Sequence, residues 1–267
     1  MMKRARLLAV VFLGLVTVSS VLASVLAPAH YSHQFRDDPD AACSWHHPLG
    51  TDDLGRDRFS RLLYGTRVSL FLAPAAALIS TILAALIGGI AVFSNKWAEQ
   101  AVMSVTDLFL SLPWLFLVIT IRALLPLNVA PLTSVIITFA LLGSLGWAGA
   151  ARVVCADTRR LCESDFMLHA RASGFTGFRL LWRHLLPNLR PVLLAQFWIS
   201  IPVFILSETN LSILGLGVAE PLPSWGSLLR ELEGFSLLSA RPWQFASLIL
   251  LVATVSCFHV AMQSEEA

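Results

Sequence analysis

Runs of apolar residues, each close to the ~20 that carry an α-helix across a bilayer's hydrocarbon core, recur along the whole of this 267-residue chain. They are read as Leu7 to Ala27, Val68 to Phe93, Ala101 to Ile121, Pro131 to Val153, Pro191 to Leu214 and Phe245 to Met262. With 56% hydrophobic and 13% charged residues, the expected fold is an all-α integral membrane protein of about six transmembrane helices. The stretches between spans reach only about 40 residues, too short to bury a core unaided. A net charge of +2 is too small and scattered for the basic stripe of a nucleic-acid binder, so no nucleic acid is expected as a partner and lipid is.

Charge orients such a chain. Lys3, Arg4, Arg6, Lys96, Arg152, Arg159, Arg160, Arg171, Arg179, Arg183 and Arg190 put eleven basic residues on the side taken as cytoplasmic, against eight outside. The expected layout is a cytoplasmic N-terminus at 1-6, an anchor at 7-27 and an external loop at 28-67 that carries an interfacial helix. A five-helix core at 68-262 follows, with a cytoplasmic loop at 154-190 and a cytoplasmic C-terminus at 263-267. The external loop runs against the count, because it holds five arginines of its own and its acids, Asp37, Asp38, Asp40, Asp52, Asp53 and Asp57, weigh little in orientation. The first span ends in VLASVLAPA, which could pass for a cleavage site. Its apolar run exceeds the roughly 7 to 15 residues of a signal peptide's core, so it is read as a retained anchor.

Catalytic patterns are missing. A nucleotide-binding loop needs a lysine after its glycine turn, yet Lys3 precedes Arg4 and Lys96 precedes Trp97. His-Glu-x-x-His does not occur, and GSLG at Gly143 to Gly146 has the wrong spacing for a serine nucleophile. The chain is therefore expected to be no enzyme and to bind no cofactor itself. Gly215 and Gly217 follow no strand and are expected to end the fifth span. Cys43 alone of Cys43, Cys155, Cys162 and Cys257 lies outside, which disfavours a disulfide. Cys155, Cys162 and His169 are seven apart and could stack on one helix face; His46 and His47 lie near Asp52 and Asp53. Neither set has the paired spacing of a structural metal site, and no metal is assigned.

Two acids fall within spans, Asp107 near the inner end of the third and Glu208 in the outer part of the fifth. They are candidates for a translocation path, and equally for pairing with a neighbouring helix. Pro74, Pro113 and Pro202 also fall within spans and promote kinks. In GTDDLGRDRFSRLLYGTR, Asp57 and Arg61 are four apart on a helix expected to lie on the membrane with Leu62 and Leu63 downward. Pro221, Pro223 and Trp225 suggest a stiff external turn with an interfacial aromatic anchor.

The segment from 165 to 191 concentrates arginine between two apolar runs. Asp165 is positioned to cap a helix over Phe166 to Ser173, and Gly174 supplies the positive φ that ends one. Phe178, Leu181, Trp182, Leu185 and Leu186 then recur at helical spacing, with Arg179 and Arg183 on another face. Pro187 and Pro191 are expected to break that helix and open the fifth span. A helix, a glycine elbow, a helix and a stop make a rigid element suited to being moved by another protein.

FMLHARASGFTGFRLLWRHLLPN, Phe166 to Asn188, resembles the EAA loop of ABC-importer permeases, which runs Glu-Ala-Ala, three residues, Gly, then nine residues to a segment ending in Leu-Pro. Gly174, Leu186 and Pro187 fall in register. HPLGTDDLGRDRFSRLLYGTRVSL, His47 to Leu70, and LSILGLGVAEPLPSWGSLL, Leu211 to Leu229, are similar to the segments before the second and after the fifth span of C-type subunits in the dipeptide, oligopeptide and nickel branch. With VTDLFLSLPWLFL around Asp107, the likeness covers nearly everything from His47 to Leu229.

This resemblance implies a type I ABC importer permease fold in a bacterial inner (plasma) membrane, moving peptides or similar small solutes. It implies a heterodimer with a second permease, two ABC ATPase subunits that hold ATP and Mg, and an external solute-binding protein. Carried over to the ATPase-coupling loop are Phe166, His169, Ala170, Arg171, Gly174, Arg183, Leu186, Pro187 and Asn188. Where the pattern has Glu-Ala-Ala this chain has Leu168, His169 and Ala170, so the expected glutamate is missing, and FHVAMQSEEA lacks the Gly-Asp-x-Leu-Arg-Asp tail. The alternative is a self-sufficient secondary transporter or channel working through Asp107 and Glu208.

Overall fold

The computed structural model describes residues 2–93, 96–126, 129–175, 177–233 and 242–262. The segment 263-267, expected to be cytoplasmic, lies outside the described residues. The helices are α1 (Met2–Val21), α2 (Ala23–Leu26), α3 (Arg58–Phe93), α4 (Lys96–Ser111), α5 (Trp114–Leu124), α6 (Pro131–Leu145), α7 (Ala148–Cys162) and α8 (Asp165–Ala172). They continue with α9 (Gly177–Leu180), a π turn at Leu181–Leu185, α10 (Leu186–Ile213), α11 (Trp225–Arg230) and α12 (Ala246–Met262). Five helical stretches are long and apolar enough to cross a membrane, or six when the bent pair α4 and α5 counts as one. No strand occurs among the described residues; the one β contact is an isolated bridge between Thr51 and Asp57.

Two expected elements differ. The interfacial helix is not separate, because helix formation starts at Arg58 and runs 36 residues without a break. That is about 54 Å at 1.5 Å per residue, well past the ~30 Å of hydrocarbon. Its first turns bury Arg61, Leu63, Thr66 and Ser69, so they pack into protein instead of lying on lipid. The third span is broken: its two halves meet at 82°. Pro113 has no N–H to offer, and its ring disfavours helical geometry at Leu112. Its carbonyl instead accepts the Phe116 N–H at 2.8 Å and starts α5. Pro74, by contrast, sits inside the unbroken α3, and Pro202 inside α10.

The chain packs as two compact units. The first comprises Met1–Ala73, Ile121–Phe139 and Pro202–Ala267, and the second Pro74–Thr120 and Ala140–Ile201. In the first, α1 packs on α12. In the second, Ala84, Ala150, Ala151 and Val154 form a small-residue core with Trp147, Val192 and Leu193 packed around it. Small side chains let helix backbones approach closely, the usual means of helix association within lipid. Gly88 shows how closely: a Cβ there would strike the Ala151 carbonyl oxygen, with the Cys155 nitrogen at 3.0 Å. Gly89 has open space.

Adjacent alanine substitutions should therefore act in opposite directions. Gly88→Ala is expected to destabilise by about 1–3 kcal/mol through overpacking. Gly89→Ala should gain roughly 0.5–1 kcal/mol from helix propensity. Thermal unfolding of the purified chain in detergent reads both, and equal shifts would refute the close α3–α7 contact.

Candidate functional site

The segment resembling a coupling loop folds as a compact arm. Ser164 takes the extended position ahead of α8 (φ −73°, ψ 149°), so the helix starts at Asp165, which is its first residue and not its cap. An acid in that first turn suits the positive end of the helix dipole. At the other end the Gly174 N–H donates to Arg171 O at 3.0 Å and the Phe175 N–H to Ala170 O at 3.1 Å. Gly174 has φ +84°, as this C-terminal motif requires. Nothing lies within 4 Å of a Cβ built there, so backbone conformation, not crowding, demands the glycine.

Phe175 then turns back onto Met167, Ala170, Leu180, Leu185 and Leu189, the arm's own apolar core. Its ring meets that of His184 edge-on at 4.6 Å. Of the carried-over residues, Ala170 is buried and Leu186 half-buried, while Phe166, His169, Arg171, Gly174, Arg183, Pro187 and Asn188 are exposed. The arm thus shows a basic face with apolar Phe166, Leu168 and Trp182 among the arginines. Leu168, at the glutamate position of the pattern that the segment resembles, and His169 beside it both stand exposed on α8. Cys155 and Cys162 are on α7 and His169 on α8, so the helix break at Glu163 and Ser164 keeps the three off one continuous helix face.

The expected stop at Pro187 and Pro191 does not occur. The chain passes from α9 through the π turn directly into α10. Within that turn the hydrogen-bond register slips by one, and the Leu186 N–H donates to Leu181 O. The wider ring accommodates a proline that lacks an N–H and crowds the carbonyl four residues back. The slip also rotates the buried stripe. Leu180, Leu185 and Leu189 are inside, while Trp182, expected on the apolar face, is 56% exposed. The side chain of Phe178, part of the same expectation, lies outside the described residues.

In the first unit the stretches His47 to Leu70 and Leu211 to Leu229 close on each other as a clasp. Trp225, expected at an interface, is fully buried. Its Nε1–H donates to Thr66 Oγ1 at 2.9 Å, and its backbone N–H to Ser69 Oγ at 3.3 Å. Ser224 and Ser227 cap α11 reciprocally. A Cβ on Gly226 would sit 2.8 Å from Thr209 Cα, so α11 lies directly on the backbone of α10.

Charges fasten the clasp. Asp57 does not pair with Arg61: its Oδ2 accepts the Ser60 N–H at 2.7 Å at the start of α3, and its Oδ1 faces His47 Nδ1 at 3.0 Å. Arg61 reaches Glu231 at 2.9 Å and Glu220 at 3.3 Å. Arg56 bridges Asp52 at 2.6 Å and Glu220 at 2.5 Å, and Arg58 reaches Glu231 at 2.8 Å. Burial pushes the Glu220 carboxyl up, but Arg61 and Arg56 outweigh it and hold the group below its ordinary range. For Glu231 burial wins over Arg61 and Arg58, and the carboxyl is raised. These partners lie some 160 or more positions apart, which no spacing pattern signals.

Of the two acids within spans, Glu208 is sealed in the clasp. It is 0% exposed, and its Oε1 accepts Ser212 Oγ at 2.6 Å and Ser224 Oγ at 2.7 Å. It fastens α10 to the start of α11, and its Oε2 is buried with no hydrogen-bond partner. Asp107, on α4, is half exposed and faces Arg152 of α7 at 3.4 Å. Like Glu220 and Glu231 of the clasp, Arg122 on α5, only 1% exposed, carries no signal in the sequence.

Several apolar helices long enough to span a bilayer, with an exposed basic arm between two of them, define a multi-pass membrane protein. The chain belongs to the family described as binding-protein-dependent transport system inner membrane component, whose signature matches residues 76–264. It is 32% identical over 252 residues to a peptide permease protein of Brucella suis biovar 1, covering 91% of this chain and 82% of that one. It is 31% identical over 234 residues to the oligopeptide transport system permease protein OppC of Bacillus subtilis, covering 88% and 74%. To the glutathione transport system permease protein GsiD of Pectobacterium atrosepticum it is 30% identical over 214 residues, covering 80% and 69%. The chain is a permease subunit of an ABC importer with the type I importer permease fold.

Proposed function

We propose that this chain forms half of a translocation path for peptides, paired with a second permease and driven through its basic arm by two ABC ATPase subunits that hold the ATP and Mg. Both termini and the arm lie in the cytoplasm, and an external solute-binding protein delivers the cargo. The arm carries this reading: a self-supporting unit with Phe166, His169, Arg171 and Arg183 exposed, in a chain with no phosphate loop of its own. Peptide relatives support the cargo class. ATPase closure moves the arm, the spans switch from inward to outward access, and hydrolysis resets them. The covalent chemistry belongs to the ATPases, and this chain supplies the path and the coupling.

The second reading, a carrier using Glu208, fits poorly with an acid locked between two serines. Proteoliposomes distinguish the two. Uptake of trialanine should require ATP, both permeases, the ATPases and the receptor together, and the chain alone should move nothing. Gradient-driven uptake by the chain alone, lost in Glu208→Gln, would overturn the proposal.

A further inference from the structure

We propose that Arg122 is a receptor for the carboxylate of the transported solute. Its side chain is buried between α5 and α6. Nη2–H donates to Ser134 Oγ at 2.9 Å, and Nε–H reaches Thr138 Oγ1 at 3.4 Å. Ser134 Oγ in turn donates to Gly217 O at 3.3 Å. Nη1 is buried with no hydrogen-bond partner. Among the described residues no carboxylate pairs with this guanidinium; of Glu208 in the same unit, Oε1 accepts from two serines and Oε2 is buried with no hydrogen-bond partner, so neither oxygen reaches Arg122.

A guanidinium stays charged in a protein, and burying an ion without a counter-ion is among the costliest arrangements available. Two neutral hydroxyls orient the fork but do not neutralise it. Their effect is to fix its plane and leave one donor corner unused. A carboxylate is the ligand that such a fork fits, by parallel charge-assisted hydrogen bonds.

Position agrees with this chemistry. Arg122 lies near the end of α5, the half-span that follows the 82° break at Pro113, and broken spans are where transporters place their substrate contacts. In the proposed orientation that end is external, so it presents to a solute released by the receptor a buried positive charge that, unlike those of Arg56 and Arg61, has no acid beside it among the described residues. The corner is closed in this conformation, and parting of α5 from α6 would open it. The inference rests on the peptide reading: every peptide with a free C-terminus carries the required carboxylate.

An acid of the second permease is the other source of the same group, and one experiment separates them. The full complex in proteoliposomes, with receptor, is given trialanine or trialanine amide, each at a concentration that saturates the receptor. Wild type should prefer the acid. In Arg122→Gln, acid uptake should fall by about ten-fold or more, the loss of one charge-assisted contact. Amide uptake should hardly change, and Arg122→Lys should restore part of the preference. An unchanged acid-to-amide ratio overturns the proposal. So does an equal fall for both peptides with loss of the second permease on purification, which assigns the carboxylate to that partner. Failure of both variants to assemble also overturns it, as a purely structural role. Wild type moving neither peptide would instead defeat the peptide reading.

Discussion

Trp225→Ala is expected to be the most destabilising single substitution in the clasp, costing about 3–5 kcal/mol. The indole is fully buried, so truncation leaves a cavity the size of its two rings. The loss also strips Thr66 Oγ1 of its donor at 2.9 Å. The surroundings cannot collapse into the space. A Cβ on Gly65 would lie 3.3 Å from Leu228 Cδ1, so α3 and α11 already touch. Trp225→Phe keeps most of the volume and should cost only about 1–2 kcal/mol, the hydrogen bond with some packing. Chemical unfolding of the detergent-purified chain reads the difference. A midpoint for Trp225→Ala within error of wild type would show that this tryptophan faces lipid.

Gly174→Pro should act on coupling and spare the fold. Proline fixes φ near −65°, whereas this position needs +84°. The substitution also removes the N–H that donates to Arg171 O. Phe175 then leaves the arm's core, and the exposed face of α8 loses its fixed relation to α9. Copurification of the ATPases and ATP-driven uptake should fall by more than about ten-fold, since losses of only about 1.4 kcal/mol already cost that factor. The spans should keep their unfolding midpoint, because the small-residue core around Ala84, Ala151 and Val154 does not include the elbow. Gly174→Ala, which meets open space but pays about 1–2 kcal/mol for a left-handed backbone, should fall between. Normal ATPase recovery with Gly174→Pro would remove the arm from the coupling role.

Legibility followed the range of the forces involved. The apolar runs, the glycine at 174 and the terminal glycine at 215 are local: length and positive φ decide them, and Gly215 does end α10 at φ +77°. Pro113 marked where the third span would yield but not by how much, because the angle depends on what each half packs against. Arg61 and Asp57 looked like a pair at helical spacing. The cap of α3 takes Asp57 instead, and two glutamates from a distant loop take Arg61. Trp225 suits a membrane boundary or a core equally well by composition, and only the arrival of Thr66 from 159 positions away decides between them. Arg122 gave no signal because its partners are ordinary hydroxyls. The π turn was invisible for a different reason: leucines at 180, 181, 185 and 186 satisfy either register, so the sequence does not tell the buried pair Leu180 and Leu185 from a regular helical stripe.

That slip has a mechanical result. Leu181–Ile213 is one stretch of 33 residues, about 50 Å at helical rise, and it begins inside the arm. Had the prolines cut it, motion at the base would dissipate in a hinge. The arm's last turn and the first turns of α10 instead share one continuous run of helix. In the proposed coupling, a displacement of the arm would therefore enter α10 directly, with no loop at its foot to take up the motion.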